Sequence, residues 1–185
     1  MWPKAIVLDL DYTIWPCWCD THLSLPLSKA SKTGIEDGRG FKLYLFDDVS
    51  SIVKLLSNSG VILIAASRTA RPDIAEKLLT LFHIDDKPLI SFFRSLQWGQ
   101  GSKINHVEKA ACELHIEEEL RRGDVILFDD EARNRDVEEV NCYFFKINQN
   151  EGLTFPVFNE ALEVWRKSRP KFDEIANYER KNDLA

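Results

Sequence analysis

The stretch VLDLDYTIW, residues 7–15, decides the fold of this chain. It completes an apolar run over residues 5–10 that predicts a short buried strand. Two aspartates, Asp9 and Asp11, interrupt this run, and residues two apart point to the same side of a strand. Two like charges at the end of an apolar strand repel each other unless a cation neutralises them. The stretch therefore predicts a strand that ends in a functional site.

Length and composition predict one globular domain. The chain has 185 residues, 44% of them apolar, and a net charge of −6. We expect a single domain over residues 1–170, with a flap insert at about 12–46 and a charged tail at 171–185. The acidic balance argues against nucleic acid as a partner. No apolar run is long enough for a membrane span, and the N-terminus lacks a signal-peptide pattern. We expect a cytoplasmic protein that could also enter the nucleus.

Apolar runs that fit strands alternate with stretches of helical periodicity. This alternation predicts an α/β fold with a mainly parallel five-stranded sheet that is covered on both faces. The loop at 28–40 is expected to be mobile, and residues 41–46 could form a strand. The predicted strands are 5–10, 61–67, 88–93, 124–130 and 142–147, and the predicted helices are 47–60, one from 72, one from 102, a short one holding Val137 and Val140, and 156–168.

Polar residues follow the strands where ligands bind to such sheets, at the carboxyl ends. Ser67 follows the second long strand, Asp129 and Asp130 end the fourth, and Lys103 opens the helix before it. Acids that meet at neighbouring strand ends need a dication, and Mg²⁺ prefers such oxygen ligands. One carboxylate of the first strand could attack phosphorus while the other moves a proton. Lys103 and Ser67 are suited to hold phosphate oxygens.

The four segments DLDYT, AASRT, GSK and FDDE, in this order, resemble the motifs of the haloacid dehalogenase (HAD) superfamily of phosphohydrolases. DLDYTIWPCWCDTH further resembles the magnesium-dependent phosphatase-1 family, which shares the Trp-Pro pair. The resemblance implies a HAD-like Rossmannoid three-layer sandwich with a minimal cap. It also implies a phosphomonoesterase that acts on protein phosphotyrosine or small sugar phosphates. Its partners would be phosphorylated small molecules or phosphoproteins, and its cofactor Mg²⁺.

The resemblance also assigns roles to residues. Asp9 would be the nucleophile that forms an aspartyl-phosphate, and Asp11 the general acid and base. Thr13 would support the nucleophile loop. The implied phosphate ligands are Ser67 and Lys103, and the implied metal ligands are Asp9, the Asp11 carbonyl and Asp129. Asp130 would act through water or by orienting Lys103.

Several residues keep two interpretations. Arg68 could clamp phosphate or be solvated, and Asn134 could steady Asp130. Trp15, Trp18 and Tyr12 could form a wall of the active site or belong to the core. Ser67 and Thr69 could instead cap the following helix.

Other classes of protein also remain open. A receiver module with a phosphorylated aspartate is one alternative, and a non-catalytic protein on a HAD scaffold is another. Oligomeric state is not fixed by the sequence, with a monomer slightly favoured. The four cysteines are expected to be reduced thiols rather than a zinc site.

Overall fold

The structure is a computed structural model that describes the backbone of residues 1–31 and 33–182, and the side chains of this part up to residue 168. The strands are β1 (Ala5–Leu8), β2 (Ser28–Lys29), β3 (Gly34–Glu36), β4 (Lys42–Tyr44), β5 (Ile62–Ser67), β6 (His83–Ile84), β7 (Lys87–Pro88), β8 (Phe93–Trp98), β9 (Val125–Asp129) and β10 (Cys142–Lys146). The α-helices are α1 (Cys19–His22), α2 (Val49–Asn58), α3 (Pro72–Leu81), α4 (Lys103–Leu114), α5 (Glu117–Arg121) and α6 (Phe155–Asn182), and two 3₁₀ helices span Leu89–Phe92 and Ala132–Val140.

Five parallel strands form the central sheet in the order β10-β9-β1-β5-β8. β1 lies in the middle, where Ala5 pairs with Ile62 on one side and with Val125 on the other. All four residues of β1 are buried, as expected for a strand covered on both faces. The predicted α/β fold with a mainly parallel five-stranded sheet is therefore confirmed.

The two faces of the sheet carry separate cores, because successive residues of a strand point to opposite faces. Ile6 and Leu8 of β1 belong to the larger core, which also holds apolar residues of α2, α3 and α6. Ala5 and Val7 belong to the smaller core, with residues of α4 and α5. The layers are thus helix, sheet and helix.

Within the predicted loop at 28–40, the described residues include two short strands, which the sequence did not predict. Strands β2, β3 and β4 form a small antiparallel sheet in that order. The buried Asp37 carboxylate accepts backbone N–H groups of Ser24, Arg39 and Phe41 at 2.8–2.9 Å. A carboxylate with three such donors fixes the local turn, which periodicity alone could not reveal.

Two predicted boundaries were wrong. Residues 89–92 form a 3₁₀ helix, so the edge strand β8 begins only at Phe93. Helix α6 extends to Asn182 instead of ending near residue 168. The last three residues of the predicted tail lie outside the described residues.

None of the helices described here is long and apolar enough to cross a membrane.

Candidate active site

Three carboxylates meet at the carboxyl edge of the sheet. Asp9 follows β1, Asp129 ends the neighbouring β9, and Asp130 comes next; each offers an oxygen within 4.8 Å of those of the other two. Asp9 and Asp129 are buried, and Asp130 is half-buried. Parallel pairing of β1 with β9 carries their carboxyl ends to the same place. The predicted convergence of residues 9 and 129 is therefore present.

Lys103 lies directly behind these acids. Its Nζ is 2.5 Å from Oδ1 of Asp9 and 3.1 Å from Oδ2 of Asp129, and it also donates to the carbonyl of Ala66. Burial favours a lower pKa for Lys103, but the charges of Asp9 and Asp129 outweigh it and raise the pKa above its usual value. The Lys103 side chain has no exposed surface and does not line the cavity, so its contact with phosphate stays a prediction.

The charge of Lys103 does not balance the site. Burial raises the pKa of Asp9 well above its usual value; Lys103 opposes this increase, and Asp129 adds to it. Three carboxylates face one ammonium, so a further cation would relieve the remaining repulsion. All three side chains offer oxygen, the donor that suits a hard dication such as Mg²⁺. The residues present therefore fit the predicted metal, although the carboxylate of Asp11 is not in this cluster.

Asp11 has a different environment from Asp9. Its Oδ1 accepts the indole N–H of Trp15 at 2.6 Å and the backbone N–H of Cys19 at 3.1 Å. Burial raises the pKa of Asp11 to about 6, and these hydrogen bonds oppose the rise. A carboxyl group with a pKa near neutrality can both give and take a proton.

Trp15 does not form a wall of the cavity. It is fully buried and stacks on Phe82, with ring centroids 6.1 Å apart. The substrate-contact prediction for Trp15 was wrong because the chain turns its indole inward. Trp18 takes the place at the mouth, where it is 49% exposed and meets the ring of Tyr12 edge-on.

Asn134 links two parts of the site. Its amide nitrogen donates to Oδ2 of Asp129 at 2.8 Å, and its oxygen accepts from Nη1 of Arg68 at 3.2 Å. Asn134 therefore steadies Asp129 and not, as predicted, Asp130. Asp9 and Asp129 make the direct contacts with Lys103, and the orienting role of Asp130 stays a prediction. Arg68 is tied further by a hydrogen bond to the carbonyl of Gln100.

The remaining predicted residues lie in the same region. The Ser67 hydroxyl accepts the N–H of Thr69, and neither residue caps α3, whose N-cap is Arg71. Thr13 is fully buried, and its hydroxyl has no hydrogen-bond partner within the described part of the chain. Its backbone carbonyl accepts the N–H of Leu153, so its support of the loop is structural.

These side chains surround an open cavity of about 270 Å³. The sequence predicted five of its lining residues: Asp9, Asp11, Ser67, Arg68 and Asp130. Trp18 and Thr69, whose roles the sequence left open, line it as well, and so do Asp20, Thr21, Glu131 and Arg133. Most of the additions come from α1 and its flanks or from the residues after Asp130. The clustering of Trp18, Asp20 and Thr21 soon after the first motif was the available signal.

Asp20 fastens this flap segment to the core. Its Oδ2 accepts the hydroxyl of Thr69 at 3.2 Å and the N–H of Ala70 at 3.0 Å.

The four cysteines are free, as predicted, and only Cys112 is exposed.

Several known proteins are similar to this chain in sequence. The family model described as acid phosphatase matches residues 1–168. Magnesium-dependent phosphatase 1 of Homo sapiens is 36% identical over 168 residues, which cover 90% of this chain and 89% of that protein. The HAD-like hydrolase superfamily protein P8B7.31 of Schizosaccharomyces pombe is 37% identical over 155 residues, covering 80% of this chain and 88% of that protein.

Solved structures share the fold at lower identity. A HAD-superfamily hydrolase from Ehrlichia chaffeensis superposes with a TM-score of 0.58 at 12% identity, over 89% of this chain and 97% of that one. At this identity the likeness concerns the fold alone, whereas the family match and the human relative concern the sequence itself. This chain therefore belongs to the acid phosphatase family within the HAD superfamily, together with magnesium-dependent phosphatase 1.

Proposed function

We propose that this chain hydrolyses phosphate monoesters through an aspartyl-phosphate on Asp9, with Mg²⁺ as its cofactor. The observation that carries the proposal is the convergence of Asp9, Asp129 and Asp130 beside the buried ammonium of Lys103. Family membership makes the chain a phosphatase rather than a receiver module or a non-catalytic scaffold. The human relative is named for magnesium, which agrees with the all-oxygen donor set.

The residues suggest a two-step reaction. An oxygen of Asp9 attacks phosphorus, and the ester bond to the leaving oxygen breaks as Asp11 gives that oxygen a proton. Asp11 then takes a proton from water, whose oxygen attacks the aspartyl-phosphate; inorganic phosphate leaves and the Asp9 carboxylate is restored. Lys103 contacts Asp9 and Asp129 and opposes the rise in the pKa of Asp9. Ser67 and Arg68, which line the cavity, hold the phosphate oxygens.

Asp9, Asp129 and Asp130 would hold Mg²⁺, with the Asp11 carbonyl as a further ligand. When bound, the ion supplies positive charge against the phosphate oxygens. The cavity is open and bordered by the exposed Trp18, so phosphorylated side chains of proteins and small sugar phosphates both fit the proposal.

Removal of metal tests the proposal. We expect hydrolysis of p-nitrophenyl phosphate in Mg²⁺ to fall by about two orders of magnitude or more in EDTA, because the three acids would then repel the substrate. Added Mg²⁺ should restore the rate. Full activity after metal removal would contradict the proposal. With Mg²⁺ present, comparison of phosphate release from phosphotyrosine peptides and from sugar phosphates would identify the substrate class.

Asn134→Ala should weaken Mg²⁺ binding by about 10–100-fold, because Asp129 loses the hydrogen bond that orients it. Calorimetric titration of the protein with Mg²⁺ measures this affinity without any turnover. Asn105→Ala, at an exposed position of α4, is the matched control and should bind as the wild type does. Equal affinity in both variants would show that Asn134 does not position the ligand.

A further inference from the structure

Two N–H donors meet on one oxygen of Asp11. The indole of Trp15 lies 2.6 Å from Oδ1, and the backbone N–H of Cys19 lies 3.1 Å from the same atom. An oxygen that accepts two N–H groups is held as an acceptor and is poorly placed to carry a proton itself. The proton of a neutral Asp11 therefore belongs on Oδ2.

We propose that Trp15 is a positioning residue which, with the N–H of Cys19, fixes Oδ1 of Asp11 and so makes Oδ2 the oxygen that transfers the proton. This inference rests on the proposed function, since it assigns a task to the acid of that reaction. It adds a residue and a stated atom to the mechanism: Trp15 touches neither substrate nor metal and acts only through Asp11.

Both donors are rigidly held. Trp15 is fully buried and packed on Phe82, so its indole has little freedom to turn away. Cys19 begins α1, and the next residue, Asp20, is bound to the hydroxyl of Thr69 and the N–H of Ala70. Asp11 therefore accepts hydrogen bonds from two sides. Trp15 belongs to the loop after β1, and Cys19 belongs to a flap segment that Asp20 ties to Thr69 and Ala70.

The effect of a fixed Asp11 on the reaction rate should depend on the leaving group. An alkoxide leaves phosphorus readily only when it receives a proton, whereas p-nitrophenolate leaves without one. A misdirected Asp11 should therefore slow the first step with alkyl phosphates far more than with p-nitrophenyl phosphate. The parameter kcat/KM reports this step, because it covers the reaction up to departure of the leaving group.

Trp15→Phe removes the indole N–H and keeps an aromatic ring on Phe82. We expect kcat/KM to fall by about 10–100-fold for an alkyl phosphate and by only about threefold or less for p-nitrophenyl phosphate. The first figure is smaller than the whole rate contribution of a general acid, because Asp11 itself is still present. Trp165→Phe is the matched control: Trp165 is also fully buried, and its indole donates to the carbonyl of Gly123 at 2.8 Å, away from the cavity. In Trp165→Phe, the ratio of kcat/KM for the alkyl phosphate to kcat/KM for p-nitrophenyl phosphate should stay at the wild-type value.

A second variant tests the inference if Trp15→Phe folds poorly. Replacement of Trp15 by β-(3-benzothienyl)alanine exchanges the N–H for sulfur with little change of shape, and it should shift the ratio in the same direction. An unchanged ratio in that folded variant would overturn the inference. Wild-type hydrolysis of p-nitrophenyl phosphate and its loss in Asp9→Asn report on the proposed function separately, so the two failures are distinguishable.

Discussion

Asp9→Asn should reduce turnover by about 10⁴-fold or more, because an amide has no anionic oxygen to attack phosphorus. Asp129 is fully buried and does not line the cavity, so it is not placed to take over this role. The measurement is steady-state hydrolysis of p-nitrophenyl phosphate, together with trapping of the phosphorylated protein after rapid quench. Wild-type protein should carry acid-stable, hydroxylamine-sensitive phosphate, and the variant none.

The variant must also remain folded. Asp37→Asn is the matched control, since Asp37 is a buried carboxylate of the flap that lies outside the site. It should retain activity, and its midpoint of thermal unfolding shows what loss of a buried charge costs in general. A folded Asp9→Asn protein with turnover within about tenfold of the wild type would exclude Asp9 as the nucleophile.

The sequence predicted the parts of the fold that local periodicity determines. β1, β5 and β9 are buried on both faces, so their residues form continuous apolar runs whose ends are easy to recognise. β8 is an edge strand with a mixed pattern, and the 3₁₀ helix before it looked like strand. The described strands of the flap have two or three residues each, too few for a periodic pattern to show.

For the site, the sequence predicted which residues meet but not how their side chains pair. Lys103 and Asp9 are 94 residues apart in sequence, and only the packing of α4 against the sheet decides that the ammonium lies behind the acid. Trp15 was expected at the cavity because it follows the first motif. Its orientation depends on packing against Phe82, the residue after α3, and no local sequence pattern predicts that contact.

Lys103→Met should lower kcat/KM by about 10³-fold and also destabilise the protein by about 3–5 kcal/mol. Methionine fills much of the same volume but leaves Asp9 and Asp129 buried without their counter-charge. Lys109→Met, an exposed change in the same helix, is the matched control and should alter neither quantity by much. Chemical denaturation at pH 7 and steady-state kinetics measure the two effects.

The loss of stability should depend on pH in a direction that the site dictates. Lys103 lowers the pKa of Asp9, so its removal raises that pKa further above the usual 3.8. Between 3.8 and the raised value the folded protein holds a proton that the unfolded chain has lost, and stability therefore falls as pH rises through this window. The variant should thus lie closer to wild-type stability at about pH 5 than at pH 7, where Asp9 is driven to ionise without its counter-charge. Saturating Mg²⁺ should restore part of the difference at pH 7, because a ligand of the folded state replaces the missing positive charge. A destabilisation that is independent of both pH and Mg²⁺ would mean that Lys103 stabilises the fold by packing, and that the balance of charge between Lys103 and the acids does not govern this site.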